Sequence, residues 1–308
     1  MLVRTEPAHV FNGDLGLRVT PARVDFKLNA GQNNHFLITV LVGLDGVRSG
    51  TATLNDEFST SWSPRDVEQS SRRSREYALV TSLAWITDLV DVYRKKIQGM
   101  RSIIIDAESD RITRLDGRAA KLADFATTLG LTRDDRDLLM LQFAIRWRNR
   151  IVHSEADNRL GSHLKASLLR NAEEIAVAHR GLDIGRAIAS FEQNKAPTFK
   201  EVASFIAAAQ RLVESLDSQA VSRMDVNQYA NSVLQNHLTS TFESNHQVFA
   251  QFWPGNASKS EKRLRGLLLQ LGFTSDRPDV TLREDFLSSL GQLSANEARQ
   301  RYRATSAC

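Results

Sequence analysis

The sequence predicts a mainly α-helical protein with a small β-rich N-terminal part (residues 1–70), a helical domain (71–240) and a small helical C-terminal part (241–308). Three observations lead there. Apolar residues recur every three to four positions from about Ser71 onward, the spacing of a helix that buries one face. Helix-start and helix-stop residues fall at the ends of those periodic runs. Before Ser71 the chain is instead β-branched, partly alternating and rich in glycine, as short strands are.

In the N-terminal part, VTPARVDFKLNA and HFLITVLVGL read as strands, punctuated by Gly13, Gly16, Gly31, Gly43, Gly46 and Gly50. The stretch through Trp62, Pro64 and Ser70 reads as a linker. The first long helix runs from Arg75 to Gln98, with Leu79, Leu83, Ile86, Val90, Tyr93 and Ile97 on one arc. A second covers Arg118 to Leu129 and stops at Gly130, a natural residue for the left-handed turn after a helix. Thr132 is the expected cap of a third, with Asp134 and Asp135 in its first turn, where the helix dipole favours negative charge. Further helices are expected over Leu160–Ala178 and Ile184–Phe191. Thr198 and Glu201 form a capping box opening a helix with Val202, Phe205, Ile206, Ala209, Leu212, Val213 and Leu216 as its stripe. Another amphipathic helix spans Ser222 to Leu238. After a break at QFWPGNASKS come pieces at 259–271, 282–290 and 295–303, with capping boxes expected at Thr281–Glu284 and Ser294–Glu297.

Composition narrows the classes. A chain of 308 residues is long enough for a full core and more than one domain. Its net charge of +4 permits an anionic partner without requiring one. The single cysteine, Cys308, excludes a disulfide within the chain and a cysteine-built zinc site. MLVRTEPAHV lacks the apolar run of a secretory signal, and ALVTSLAWITDLVDVY is too short and too charged to span a membrane. A soluble cytoplasmic protein is expected.

The informative stretch is IRWRNRIVHS, residues 145–154. On a helical wheel, advancing about 100° per residue, Leu139, Met140, Leu141, Phe143, Ala144, Ile145, Trp147, Ile151 and Val152 cover most of the circumference. A helix apolar on nearly every side is surrounded by protein. One narrow sector is polar: Gln142, Arg146, Asn149, Arg150 and His153. Arg148 lies on the opposite side, between Leu141 and Ala144. A guanidinium there is costly unless it reaches out, meets a carboxylate or holds an anion. Positions five apart diverge by about 140° on a regular helix. Arg148 and His153 therefore converge only if the helix loosens, the arginine bridges the gap, or a second chain supplies the meeting point. The bland reading stands beside these: internally paired arginines, and a histidine at a helix C-terminus.

The run Arg148-Asn149-Arg150-Ile151-Val152-His153 resembles the signature of HEPN-domain ribonucleases, helical RNases of toxin–antitoxin, antiphage and stress systems. The resemblance covers residues 70–240 and implies an HEPN-like helical bundle. It also implies a homodimer in which two arginine–histidine sets meet at a composite site. RNA carries its own nucleophile, the 2′-OH. An imidazole can move that proton near neutral pH, and a guanidinium fork can hold the phosphate as its charge builds. On this reading His153 is the general base or acid, Arg148 the phosphate clamp, and Asn149 the residue that fixes the imidazole tautomer. Arg146 and Arg150 guide the RNA backbone. No metal or other cofactor is called for. RNA is the expected partner, together with an antitoxin or regulatory protein. The alternative is a non-catalytic HEPN-like module binding RNA, a nucleotide or a protein.

Other candidates have simpler readings. Asp91 precedes Lys95 by four residues, an ordinary helix-surface pair; Asp88 and Asp91 are the acidic residues available opposite Arg148. His163 and His179 read as surface or core histidines, and His237 and His246 lack metal-type spacing. GLDG (43–46) and GLDIG (181–185) lack the lysine of a phosphate-binding loop. Lys259, Lys262, Arg263 and Arg265 form a basic cluster that reads first as a solvated helix face and second as an RNA-contacting one.

Overall fold

The computed structural model describes residues 14–52, 64–152 and 159–303. It is mainly helical, with fourteen helices and two short strands among the described residues. The chain forms two compact units. One comprises Ala22–Gly99 and Ile104–Gln219; the other runs from the first described residues to Pro21, then takes Met100–Ile103 and everything from Ala220 on.

Helix α1 (Pro21–Arg48), in the larger unit from Ala22 on, occupies the stretches expected to form strands, so among the described residues of the expected β-rich N-terminal part only Gly16–Leu17 is a strand. Ala22, Phe26, Ala30, Asn33, Leu37 and Leu41 follow each other at intervals of three and four and are all buried. The β-branched residues that suggested strands, Val24, Ile38, Val40 and Val42, are exposed. Packing of the periodic face outweighs strand propensity, which is worth about 1 kcal/mol at most per residue. Helix α2 (Val67–Gln98) starts eight residues before the expected Arg75, because the Asp66 carboxylate accepts from the Gln69 amide at 2.9 Å and caps it. Asn33 and Ser82 join α1 to α2 through a buried 3.0 Å hydrogen bond.

Helix α3 (Asp106–Arg114) has no counterpart in the sequence reading; α4 (Arg118–Thr128) does. Gly130, at φ +104°, closes α4 as expected. Its amide donates to Thr127 and that of Leu131 to Ala126, both at 3.0 Å, which satisfies two terminal carbonyls. Helix α5 (Arg136–Val152) is capped by Asp135, whose carboxylate accepts from the Leu138 amide at 2.9 Å. Thr132 is not the cap; its carbonyl accepts from Asp135 in the preceding turn. The expected 160–178 helix is broken at Asn171 into α6 (Ser162–Arg170) and α7 (Ala172–Ala178). Then come α8 (Ile184–Glu192) and α9 (Phe199–Arg223), the division between units falling after Gln219. The Thr198–Glu201 capping box is formed.

The core of this unit is centred on α5. Phe143, Trp147, Phe191 and Phe205 form a buried aromatic cluster with ring centroids 5.2–6.1 Å apart. The Trp147 indole N–H donates to the Lys195 carbonyl at 3.1 Å, so the buried ring leaves no polar atom unsatisfied.

In the other unit, β1 (Gly16–Leu17) pairs antiparallel with β2 (Val280–Thr281). A Cβ at Gly16 would stand 1.8 Å from the Val280 carbonyl oxygen, so only glycine permits this approach. Helices α10 (Val226–Ser244), α11 (Val248–Phe252), α12 (Ala257–Gln270), α13 (Phe286–Gly291) and α14 (Ala295–Arg303) complete it. Trp253 is buried beside Phe249 and Tyr302 and donates to the Leu290 carbonyl at 2.8 Å. The Ser294–Glu297 capping box is formed; the one expected at Thr281 is not, because Thr281 pairs with Gly16 and α13 begins later, at Phe286. No described helix is long and apolar enough to cross a membrane.

Candidate functional site around the C-terminal turns of helix α5

Helix α5 presents two charged groupings, one in its first turn and one in its last two. At the C-terminal end, Arg148 leaves the apolar side of the helix, and its side chain is 15% exposed. Its Nη2 lies 3.8 Å from Asp88 Oδ1 on α2, close enough for an ion pair but too long for a hydrogen bond. The same carboxylate oxygen accepts a hydrogen bond from Arg118 Nη1, at the first turn of α4. Two guanidiniums thus share one carboxylate, and the three side chains sum to one positive charge. Arg148 Nη1 also donates to Asn149 Oδ1 at 3.1 Å.

Of the two acidic residues named opposite Arg148, the structure selects Asp88. Asp91 binds Arg94 at 2.7 Å and Lys95 at 3.0 Å, the second being the pair its spacing suggested. Burial pushes the Asp91 carboxyl up, but the hydrogen bonds and charges of Arg94 and Lys95 outweigh it and hold it below its ordinary value. Arg118 was not singled out from the sequence. It opens a helix thirty residues after Asp88, and nothing local ties the two.

The remaining members of the run are distributed differently. His153 lies outside the described residues. Asn149 directs its side-chain oxygen to Arg148. Arg146 donates to the Arg159 carbonyl at 3.2 Å. Arg150 lies with its guanidinium 4.7 Å above the Phe191 ring, donates to Asn194 Oδ1, and reaches the Glu192 carbonyl at 3.3 Å. It therefore braces the C-terminal end of α8.

The grouping at the N-terminal end of α5 was not read from the sequence as a unit. Asp137 is 6% exposed. Arg211 grips it with a two-point fork, Nη2 to Oδ1 at 2.9 Å and Nε to Oδ2 at 3.1 Å, and Arg136 adds a third contact at 3.0 Å. His179, at the end of α7, is buried with its Nε2 2.8 Å from Arg211 Nη2 and 3.5 Å from Asp137. Burial alone would raise the Asp137 carboxyl; hydrogen bonds from His179, Arg211 and Arg136 overcome it and hold the group far below the usual carboxylate range. His179 is thus a core histidine, one of the two readings its sequence left open, and the network ties α5 to α7 and α9. The basic cluster of residues 259–265 lies on α12, where Arg263 donates to the Gln251 carbonyl.

Chemically, the Arg148–Asp88–Arg118 corner can hold an anion. Its guanidiniums keep their charge at any physiological pH and present forked donors that match phosphate oxygens. Among the described residues, no group of three or more His, Cys, Asp or Glu side chains is placed to hold a metal ion. Comparison with protein-family models, curated proteins and solved structures finds no match to this chain.

Proposed function

We propose that the chain is a metal-independent endoribonuclease of HEPN type, with Arg148 and His153 as its reacting-site residues. The observation that carries this reading is the setting of Arg148. It stands in the last two turns of a core helix, mostly buried, beside a carboxylate that hydrogen-bonds to a different arginine. A scissile phosphate entering this corner meets a preorganised positive charge. His153, four residues after Asn149 in the sequence, takes the 2′-OH proton. O2′ then bonds to phosphorus, the P–O5′ bond breaks, and the leaving 5′-oxygen is protonated. The products are a 2′,3′-cyclic phosphate and a 5′-hydroxyl end. Two copies contribute one such set each, and the setting is defence, toxin or stress.

The test is incubation of the wild type, His153→Ala and Arg148→Ala with total RNA, followed by end-group analysis. Cleavage by the wild type, unchanged by EDTA, and loss of at least about a hundredfold in either variant with the fold intact supports the reading. Cleavage of an all-deoxy substrate refutes it, because that substrate has no 2′-OH. Salt-sensitive RNA binding without scission at any pH assigns the chain to the non-catalytic alternative.

A further inference from the structure

A cavity of about 290 Å³ opens between α4, α5 and α6. On α4 it is lined by Ala120, Ala123 and Asp124, which a helical wheel sets opposite Arg118. Leu139 and Leu164, both buried, supply apolar surface beneath it. Four polar side chains reach it from four segments: Asp124 from α4, Arg133 from the turn before α5, Gln142 from α5 and His163 from the first turn of α6. Sites for small molecules have this make-up, apolar walls with a few convergent polar groups, and run from about 300 Å³ upward. This one stands at the small end and suits a single flat ring system.

The protein makes little use of those polar groups itself. Arg133, Gln142 and His163 form no side-chain hydrogen bond or ion pair with any described residue. Asp124, 19% exposed, uses one oxygen only: Oδ2 accepts from Arg111 Nε at 3.0 Å, and Oδ1 accepts from no described residue. Asp124 and Arg133 line the same space without pairing with each other. A carboxylate and a guanidinium held apart across a small cavity suit a ligand that brings donors to the first and acceptors to the second.

That requirement is selective. An ionised carboxylate only accepts, a guanidinium only donates, and a carboxamide does both. Guanine alone among the four RNA bases has two adjacent N–H donors, at N1 and N2, that fit a carboxylate, and two adjacent acceptors, O6 and N7, that fit a guanidinium fork. Adenine lacks the donor pair, and neither pyrimidine has the second edge. The imidazole of His163, exposed at the mouth, is a stacking surface for the ring. Ala120 and Ala123 leave room for a flat base against α4, where larger side chains would not.

We infer that this cavity binds one guanine base, with Asp124 reading N1 and N2, Arg133 reading O6 and N7, and Gln142 completing the edge. Gln142 also connects the cavity to the anion-binding corner. It shares a stripe of α5 with Arg146 and Asn149, four and seven residues on, and Asn149 accepts from Arg148. From Gln142 to Arg148 the helix rises about 9 Å. A consequence for cleavage, cutting beside guanosine, rests on the ribonuclease reading; binding of the base does not.

Calorimetric titration of the full chain with guanosine, inosine, adenosine and cytidine 5′-monophosphates tests it. The four share sugar and phosphate, so any difference reports the base. The guanosine nucleotide should bind about ten- to a hundredfold more tightly than those of adenosine and cytidine. Inosine lacks only the 2-amino group and should bind about tenfold more weakly than guanosine. Asp124→Asn should erase the difference between guanosine and inosine, which a merely structural role for Asp124 would not do. Ala123→Leu, which fills the cavity, should abolish selective binding with helicity unchanged by circular dichroism. Equal binding of the guanosine and adenosine nucleotides, no saturable binding, or a preference for guanosine over inosine that survives Asp124→Asn would each overturn the inference. Selective guanosine binding by a chain that cuts no RNA would uphold the pocket and sink the ribonuclease reading.

Discussion

Replacing Asp137 removes the one carboxylate on which Arg136, Arg211 and His179 converge. Asp137 is 6% exposed and accepts three charge-assisted hydrogen bonds at 2.9–3.1 Å. Removing one partner from a buried pair typically costs about 3–5 kcal/mol, because the other charge is left uncompensated. Here the arginine side chains are 24% and 35% exposed and regain some water, so Asp137→Ala should cost about 2–3 kcal/mol. Asp137→Asn keeps the shape and loses the charge, and should cost somewhat less. The pH dependence carries a definite sign. The folded carboxyl is held below its unfolded value, so its contribution is complete above the unfolded pKa, about 3.9. It is lost as pH falls toward the folded pKa. Below about pH 4 the stability gap between wild type and Asp137→Asn should therefore narrow by about 1.4 kcal/mol per pH unit. Urea unfolding at pH 7 and at pH 3, followed by circular dichroism and tryptophan fluorescence, measures both effects. A cost below about 0.5 kcal/mol at pH 7, or a gap that does not move with pH, would refute the assignment of this network as the anchor of α5.

Two further outcomes concern the contacts of α5. Trp147→Phe removes the indole that donates to Lys195 and fills the space between Phe143, Phe191 and Phe205; it should destabilise by about 1–3 kcal/mol in urea titrations. Asp88→Asn should change stability by less than about 1 kcal/mol, since the carboxylate is 46% exposed. If Asp88 positions Arg148, the same variant should lower kcat by on the order of ten- to a hundredfold with KM and the pH profile little changed. Unaltered kcat would remove Asp88 from the positioning role.

How much of this was legible in the chain depends on how local each feature is. The apolar coverage of α5, the stop at Gly130 and the boxes at Thr198 and Ser294 rest on residues within a turn or two of each other, and all four stand in the structure. The strands expected in residues 1–70 failed on a local ambiguity. HFLITVLV alternates well enough to suggest a strand, but Leu37 and Leu41, four apart, are the residues that are buried. The misplaced cap at Thr132 has a similar origin, since Asp135 is equally suited to the role and the turn geometry decides between them.

By itself, the sequence determined that this is a helical protein and that an arginine stands on the apolar side of a core helix, with a histidine five positions on. Periodicity and side-chain chemistry belong to a segment, so they can be read from it. Which carboxylate meets that arginine could be decided only by the fold. Asp88 and Arg118 lie sixty and thirty residues earlier in the chain, and packing of α2 and α4 against α5 brings them to Arg148. An ion pair's energy depends on distance and burial, and neither is encoded in sequence separation.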